Sequence, residues 1–406
     1  MVYEIVLYQT VAGSRYTLYL TETDLISRET AGTFSYKTET STTPSVTSLD
    51  ATKKIITFSG GGITASGVAA SDKFIIDADH TATSEIDTNW ATVASKDSDT
   101  QITLSSAYTG AATSGSCKLR KVYSVPSNER YSWATVNDKF CFGNGNLPVQ
   151  YWAGSGYAAS LNATHALNAR HMTEYANRLF LADVDASGTR SAITIRWSKE
   201  NDPTDWTDST AGELDLMDTS DILMGLGKVG GNIIFFKLDN IYIYGRTGIA
   251  TDPISMVAFR PGVGCVAPYS TVSYLGTTAW LGRDDFYVMD GDQPTPIGGR
   301  IRTEFFDSVS GTEIKKVWGA ANHNLNEVMW IANTSAGQRA FVYNYKHKEW
   351  YFYELPIDVS AFGKGAPWPR RHHRSATRSR PPVRRDLRLA RTSSRTPRSA
   401  TSPRPS

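Results

Sequence analysis

Cysteine is scarce in this chain. Cys117, Cys141 and Cys265 are odd in number and scattered, which excludes a disulfide framework or a zinc-ligand spacing and leaves reduced thiols as the expectation. No apolar run approaches the ~18 residues a membrane helix needs. The opening MVYEIVLYQT has neither the basic leader nor the apolar run of a signal peptide. A soluble protein made in a cytoplasm is therefore expected. Helix signals are nearly absent; Arg300 to Ser310 and Ala166 to Tyr175 have room for a turn or two at most. GxSxG, HExxH, Walker A, GxGxxG and CxxC do not occur where their structural context demands them, which removes the common hydrolase, phosphate-binding and redox signatures. Also missing are the S-x-D-x-G-x-x-W box of sialidase propellers and the GH and WD dipeptides of WD40 blades.

Charge is present but unevenly placed. The formal net charge is +2 over 406 residues, yet residues 363–406 hold twelve Arg and Lys364 against the single acid Asp386. The preceding chain therefore stands at −10. A body that acidic is poorly suited to gripping nucleic acid by its phosphates, although it suits a wall past which DNA slides. Residues 363–406 contain no Ile, Tyr or Glu and no periodicity, so they are expected to be disordered. They read either as a basic arm or, given the abrupt change of composition, as an out-of-frame extension.

What the sequence does have is one unit repeated. In GGNIIFFKLDNIYIYG, residues 230–245, two apolar, β-branched and aromatic runs flank a polar turn, the signature of a β-hairpin. The same pattern recurs at Arg15 to Arg28, Lys139 to Trp152, Arg178 to Ser198, Ala279 to Met289 and Val328 to Tyr345. Taking Phe140, Leu179, Ile234, Trp280 and Met329 as equivalent anchors, the intervals are 39, 55, 46 and 49 residues. A unit of that length is one small antiparallel sheet, and sheets stacked radially make a β-propeller. Aromatic residues on these strands, such as Phe235, Trp280, Trp330 and Tyr343, are expected to pack blade against blade.

From about Ser41 the texture changes to Thr, Ser, Ala and Gly with short apolar alternations. Residues 41–121 read as a small β-barrel or sandwich inserted between two blades. Removing those 81 residues reduces the spacing from Leu18 to Phe140 to about 41, matching the other intervals. The expected organisation is an all-β chain: first propeller strands in 1–40, the inserted domain in 41–121, the rest of the propeller in 122–362, and the basic tail in 363–406. Val2 to Tyr8 reads as a strand, which either completes a sheet supplied by distant residues, as ring closure requires, or begins downstream of the natural start.

Candidate chemistry is thin. Gly60, Gly61 and Gly62 lie between strands and read as a flexible turn. His171 and Glu174 share a short segment without further ligands and are expected at the surface. Asp202, Asp205 and Asp208, or Asp284 and Asp285, offer carboxylate pairs of the kind glycoside hydrolysis uses, but they sit where turns recruit Asp for backbone hydrogen bonds. No catalytic, cofactor-binding or metal-binding residue is assigned, and no cofactor is expected.

Residues 175–301 carry YANRLFLAD, IRWSKENDPTDW, ILMGLGKVGGNIIFFKLDNIYIYGRTG, GCVAPYSTV, AWLGRDDFYVMDGDQPTPI and RI in that order. This run resembles the nozzle proteins of short-tailed bacteriophages, also called tail tubular protein B or phage stabilisation proteins. TNWATVASKDSDTQITLSSAYTGAATSG is similar to the small β-domain often inserted in such proteins. The resemblance implies a non-enzymatic virion tail protein that forms a ring, typically a hexamer, beneath the adaptor and portal, with a bore that retains the genome and then conducts DNA outward without sequence-specific binding. The rival expectations are a carbohydrate-binding host-recognition propeller and a glycoside hydrolase propeller.

Overall fold

The computed structural model describes residues 2–361 apart from 23, 30–33, 38, 41–44, 61–62, 64–67, 81–89, 124, 126–128, 162–166, 187, 356–359 and a few side chains. The 363–406 segment lies outside the described residues. Six four-stranded antiparallel sheets follow one another along the chain, each with its strands in sequence order. Blade 1 comprises Val2–Gln9, Arg15–Thr21, Leu25–Glu29 and Phe34–Tyr36. Blade 2 begins with Ser132–Val136 and Lys139–Gly143, and blade 3 with Leu167–Tyr175 and Arg178–Ala186. Blade 4 runs from Leu223–Val229 to Ile254–Pro261. Blade 5 runs from Val272–Tyr274 to Thr295–Pro296, and blade 6 from Trp318–Asn322 to Glu349–Glu354. Among the described residues these sheets form a β-propeller of six blades.

Leu18 and the five anchors chosen from the sequence all fall on the second strand of their blades. The second strands have neighbours on both edges, and most are buried over much of their length; Ile233 to Lys237, for example, are all buried. Tight turns join them to the first strands. Asn137 and Asp138 have φ of 42° and 60°, and Ala176 and Asn177 of 51° and 58°, the paired left-handed conformations of a type I′ hairpin.

Aromatic side chains fill the seams. Tyr8 of blade 1 meets Trp152 of blade 2 at 5.5 Å, Phe236 of blade 4 meets Trp280 of blade 5 at 5.0 Å, and Phe286 of blade 5 meets Trp330 of blade 6 at 4.8 Å. Phe180 and Phe235 share the cluster between blades 3 and 4. Each fully buried ring contributes about 1.5–3 kcal/mol. Trp330 also donates its indole N–H to the Ser270 carbonyl at 2.9 Å. Trp330→Phe should therefore cost about 1–2 kcal/mol in urea unfolding, because it orphans a buried carbonyl; an unchanged midpoint would show that water replaces the indole.

The seam between blades 6 and 1 differs. Among the described residues no apolar cluster spans it: the apolar residues of blade 1 cluster with blade 2, and those of blade 6 with blade 5 and Tyr269. Ser360 Oγ donates to the Val2 carbonyl at 2.5 Å, and Arg130 lies between the two blades. Val2–Gln9 pairs with Arg15–Thr21 in its own blade, so the first strand does not complete a sheet made by distant residues.

Between blades 1 and 2 sits a seven-stranded sheet ordered Glu39–Thr40, Cys117–Arg120, Lys73–Ile76, Ala91–Ser98, Gln101–Leu104, Ile55–Phe58, Val46–Leu49. Paired backbone hydrogen bonds between Val46 and Gly115 bring the two ends of this sheet together into a barrel. Its core, including Ile56, Phe74, Val93 and Ile102, is separate from those of the blades. The sheet starts at Glu39, two residues before the boundary read from the change in texture. A second correction concerns residues 166–175: Leu167–Tyr175 is the first strand of blade 3, not a helical turn, whereas Ile301–Ser308 is a helix between blades 5 and 6.

Candidate functional site

The first strands of the blades line the propeller axis, and there a cavity of roughly 190 Å³ opens. Its wall draws on blade 1 (Glu4), blade 2 (Ser132), blade 3 (His171), the segment before blade 5 (Tyr269, Thr271) and blade 6 (Trp318). Gly319 lets blade 6 approach closely: a Cβ there would stand 2.4 Å from Val272 Cγ2.

Two consecutive residues just ahead of blade 2 organise this centre. Arg130 donates through Nη2 to the Tyr3 carbonyl, to the Ser360 carbonyl at 2.6 Å and to Glu4 Oε1 at 3.3 Å. Its guanidinium lies 4.2 Å from the Trp318 ring and 5.8 Å from that of Tyr3. Glu129 pairs with Arg170 at 3.0 Å and accepts the Tyr269 hydroxyl at 2.5 Å. Burial pushes the Glu4 carboxyl up against the opposing pull of Arg130, and pushes the Tyr269 hydroxyl up with the help of Glu129.

The ion network continues into blade 3. Arg170 meets Asp183 at 3.0 Å and Arg190 meets it at 2.7 Å, while Arg190 also donates to the Gly145 carbonyl at 2.9 Å. Asp183 is 1% exposed, has φ of 55° and occupies a register shift between Ala182 and Val184. The bulge breaks the strand's alternation and sets the carboxylate between two guanidinium groups. The network balances: Glu4, Glu129 and Asp183 face Arg130, Arg170 and Arg190.

His171 is buried, at 5% exposure, rather than at the surface where it was expected. Its ring stands 6.0 Å from that of Tyr269, lines the cavity and forms no hydrogen bond among the described residues. Burial lowers its pKa to about 4, with Asp183 opposing and Arg170 and Arg190 adding to the shift. Glu174 lies three residues along the same strand. The odd separation sends the two side chains to opposite faces, and Glu174 pairs with Lys228 at 3.1 Å instead.

The acidic clusters are turn scaffolding. Asp202, Asp205 and Asp208 each accept the hydroxyl and backbone N–H of the Thr two residues on. Lys139 pairs with Asp202 at 2.7 Å, and Lys199 with Asp208 at 3.1 Å. Asp285 accepts the N–H groups of Phe286 and Gly298, both at 2.7 Å, and Asp284 accepts the Tyr287 hydroxyl at 2.9 Å. Among the described residues no group of three or more His, Cys, Asp or Glu side chains is arranged to hold a metal, and no helix is long and apolar enough to cross a membrane. The three cysteines are free and buried, and burial raises all three thiols, Cys117 to about 12 and Cys265 to about 11.

No family model and no curated protein matches the chain. Solved structures with a similar course include Hsv2 of Kluyveromyces lactis, at 8% identity and a TM-score of 0.34 over 86% of this chain and 96% of that one. AztD of Citrobacter koseri matches at 11% identity and a TM-score of 0.32 over 81% and 92%. Likenesses this distant carry no argument about function.

Proposed function

We propose that this protein is a structural subunit of a short-tailed phage tail, a nozzle component whose copies form a ring below the adaptor and portal and bound the path of the genome. The observation that carries the reading is the placement of a separate β-barrel between blades 1 and 2 of a propeller, on the stretches of sequence where the resemblance to tail nozzle proteins lies. An acidic chain up to residue 362 supports it, because like charge keeps DNA from adhering to the walls of a conduit.

The axis of a single propeller does not serve as that conduit. Glu129 and Arg130 link blades across it, and roughly 190 Å³ holds only about six waters. DNA conducted by this protein passes between copies, so function in this reading requires assembly. Sedimentation of the full chain, alone and with its adaptor, is expected to yield a closed species of about six copies, consistent with cyclic symmetry built from one repeated heterologous interface. A monomer that persists at high concentration with adaptor present removes the reading.

A further inference from the structure

The axial cavity holds more hydrogen-bonding capacity than the fold uses. Arg130 makes all its hydrogen bonds through Nη2, so Nε and Nη1 donate to no protein acceptor among the described residues. Glu4 Oε2, the His171 ring and the Thr271 hydroxyl are likewise without a protein hydrogen bond there, and all four residues line the same space. Arg130 and His171 are buried and Glu4 and Thr271 half-buried, so what occupies the cavity must satisfy these groups. Donors and acceptors brought together from blades 1 and 3, the residue ahead of blade 2 and the segment before blade 5 describe a receptor for a ligand that offers both.

Charge narrows the class. Glu4 and Arg130, the two charged side chains that line the cavity, cancel each other, so a carboxylate, phosphate or amine would bring an uncompensated charge beside this pair. A zwitterion would have to separate Glu4 from Arg130, which face each other at 3.3 Å. Hydroxyl groups bridge such a pair without breaking it, because each both donates and accepts. The wall also presents apolar surface from Met172, Leu226 and Pro268, suited to the C–H faces of a small carbon skeleton. We infer that the propeller axis binds a small uncharged polyol of about three to six carbons, held by Arg130, Glu4, His171 and Thr271. This site is independent of ring assembly and of the phage-tail reading.

Polyols also stabilise proteins by exclusion from their surfaces, so melting shifts do not test the site. Saturation-transfer NMR on the full chain, with glycerol, erythritol and D-ribose as probes and acetate and L-alanine as charged comparators, does. Saturable binding of at least one polyol is expected, with neither comparator competing. Thr271→Val, which removes one hydroxyl at nearly constant volume, should weaken that binding about fivefold to tenfold, the range for one lost hydrogen bond. His171→Leu should do the same, each variant first being shown folded by circular dichroism. Absence of saturable polyol binding, preference for acetate or alanine, or equal affinity in both folded variants would overturn the inference; the first result would leave the cavity to water.

Discussion

Arg130→Ala should open the propeller at its seam. Every other blade junction has an aromatic or aliphatic cluster, but between blades 6 and 1 the described contacts are polar: Arg130 on the Tyr3 and Ser360 carbonyls and on Glu4, its guanidinium between the Tyr3 and Trp318 rings, and Ser360 on Val2. Truncation leaves the Glu4 carboxylate buried without its counter-charge and two carbonyls without donors. Breaking a buried pair from one side costs about 3–5 kcal/mol. Arg130→Lys should recover only part of this, because an ammonium cannot reproduce the planar fork or lie as well against Trp318. Adding Glu4→Gln to Arg130→Ala should restore about 1–2 kcal/mol by removing the stranded charge. The check is a denaturant series on the four proteins, with hydrogen exchange at Val2–Gln9 and Glu349–Glu354 expected to rise first. A loss below about 1 kcal/mol for Arg130→Ala would mean that the seam is held elsewhere.

The same seam marks where sequence reasoning ends. The hairpin read in each blade is its second and third strand, where residues such as Ile233 to Phe236 and Ile241 to Tyr244 are buried on both faces and leave an unbroken apolar signature. Fourth strands such as Ala159–Ser160, Gly212–Asp215 and Thr295–Pro296 are short and mostly exposed, so nothing in their composition announces them. First strands mislead for a different reason. Leu167–Tyr175 carries Arg170 into the ion network, His171 to the axial cavity and Glu174 against Lys228, and these polar residues hide the alternation that identifies a strand. The central site was illegible on the same grounds. Glu4, Glu129, Arg130, Asp183 and Tyr269 are separated by up to 265 positions, and only closure of the ring makes neighbours of them. His171 was visible as a residue; its burial depends on those distant partners.

Lowering the pH should destabilise the protein in two separate windows, the upper one belonging to His171. Its pKa is lowered by burial to about 4 in the folded chain, against ~6.5 when unfolded. Above pH 6.5 the imidazole is neutral in both states and contributes no pH dependence. As the pH falls from 6.5 towards 4 the unfolded chain takes up a proton that the folded chain refuses, so stability declines by about 1.4 kcal/mol per unit, or about 3 kcal/mol in all. Below the folded pKa both states are protonated and this slope vanishes. Asp202 acts lower down: burial opposes the shift, but Lys139 and Thr204 outweigh it and hold the carboxyl at about 2, so its contribution is lost only between roughly pH 4 and 2. Asp183, Arg170 and Arg190 surround the imidazole; the guanidinium groups keep their charge across both windows. His171→Leu should therefore flatten the unfolding free energy between pH 6.5 and 4 while leaving the lower window in place. Denaturant titrations at half-unit steps in pH measure this directly. An unchanged slope in the variant would show that His171 reaches solvent, and with it that the axial cavity is open to bulk water.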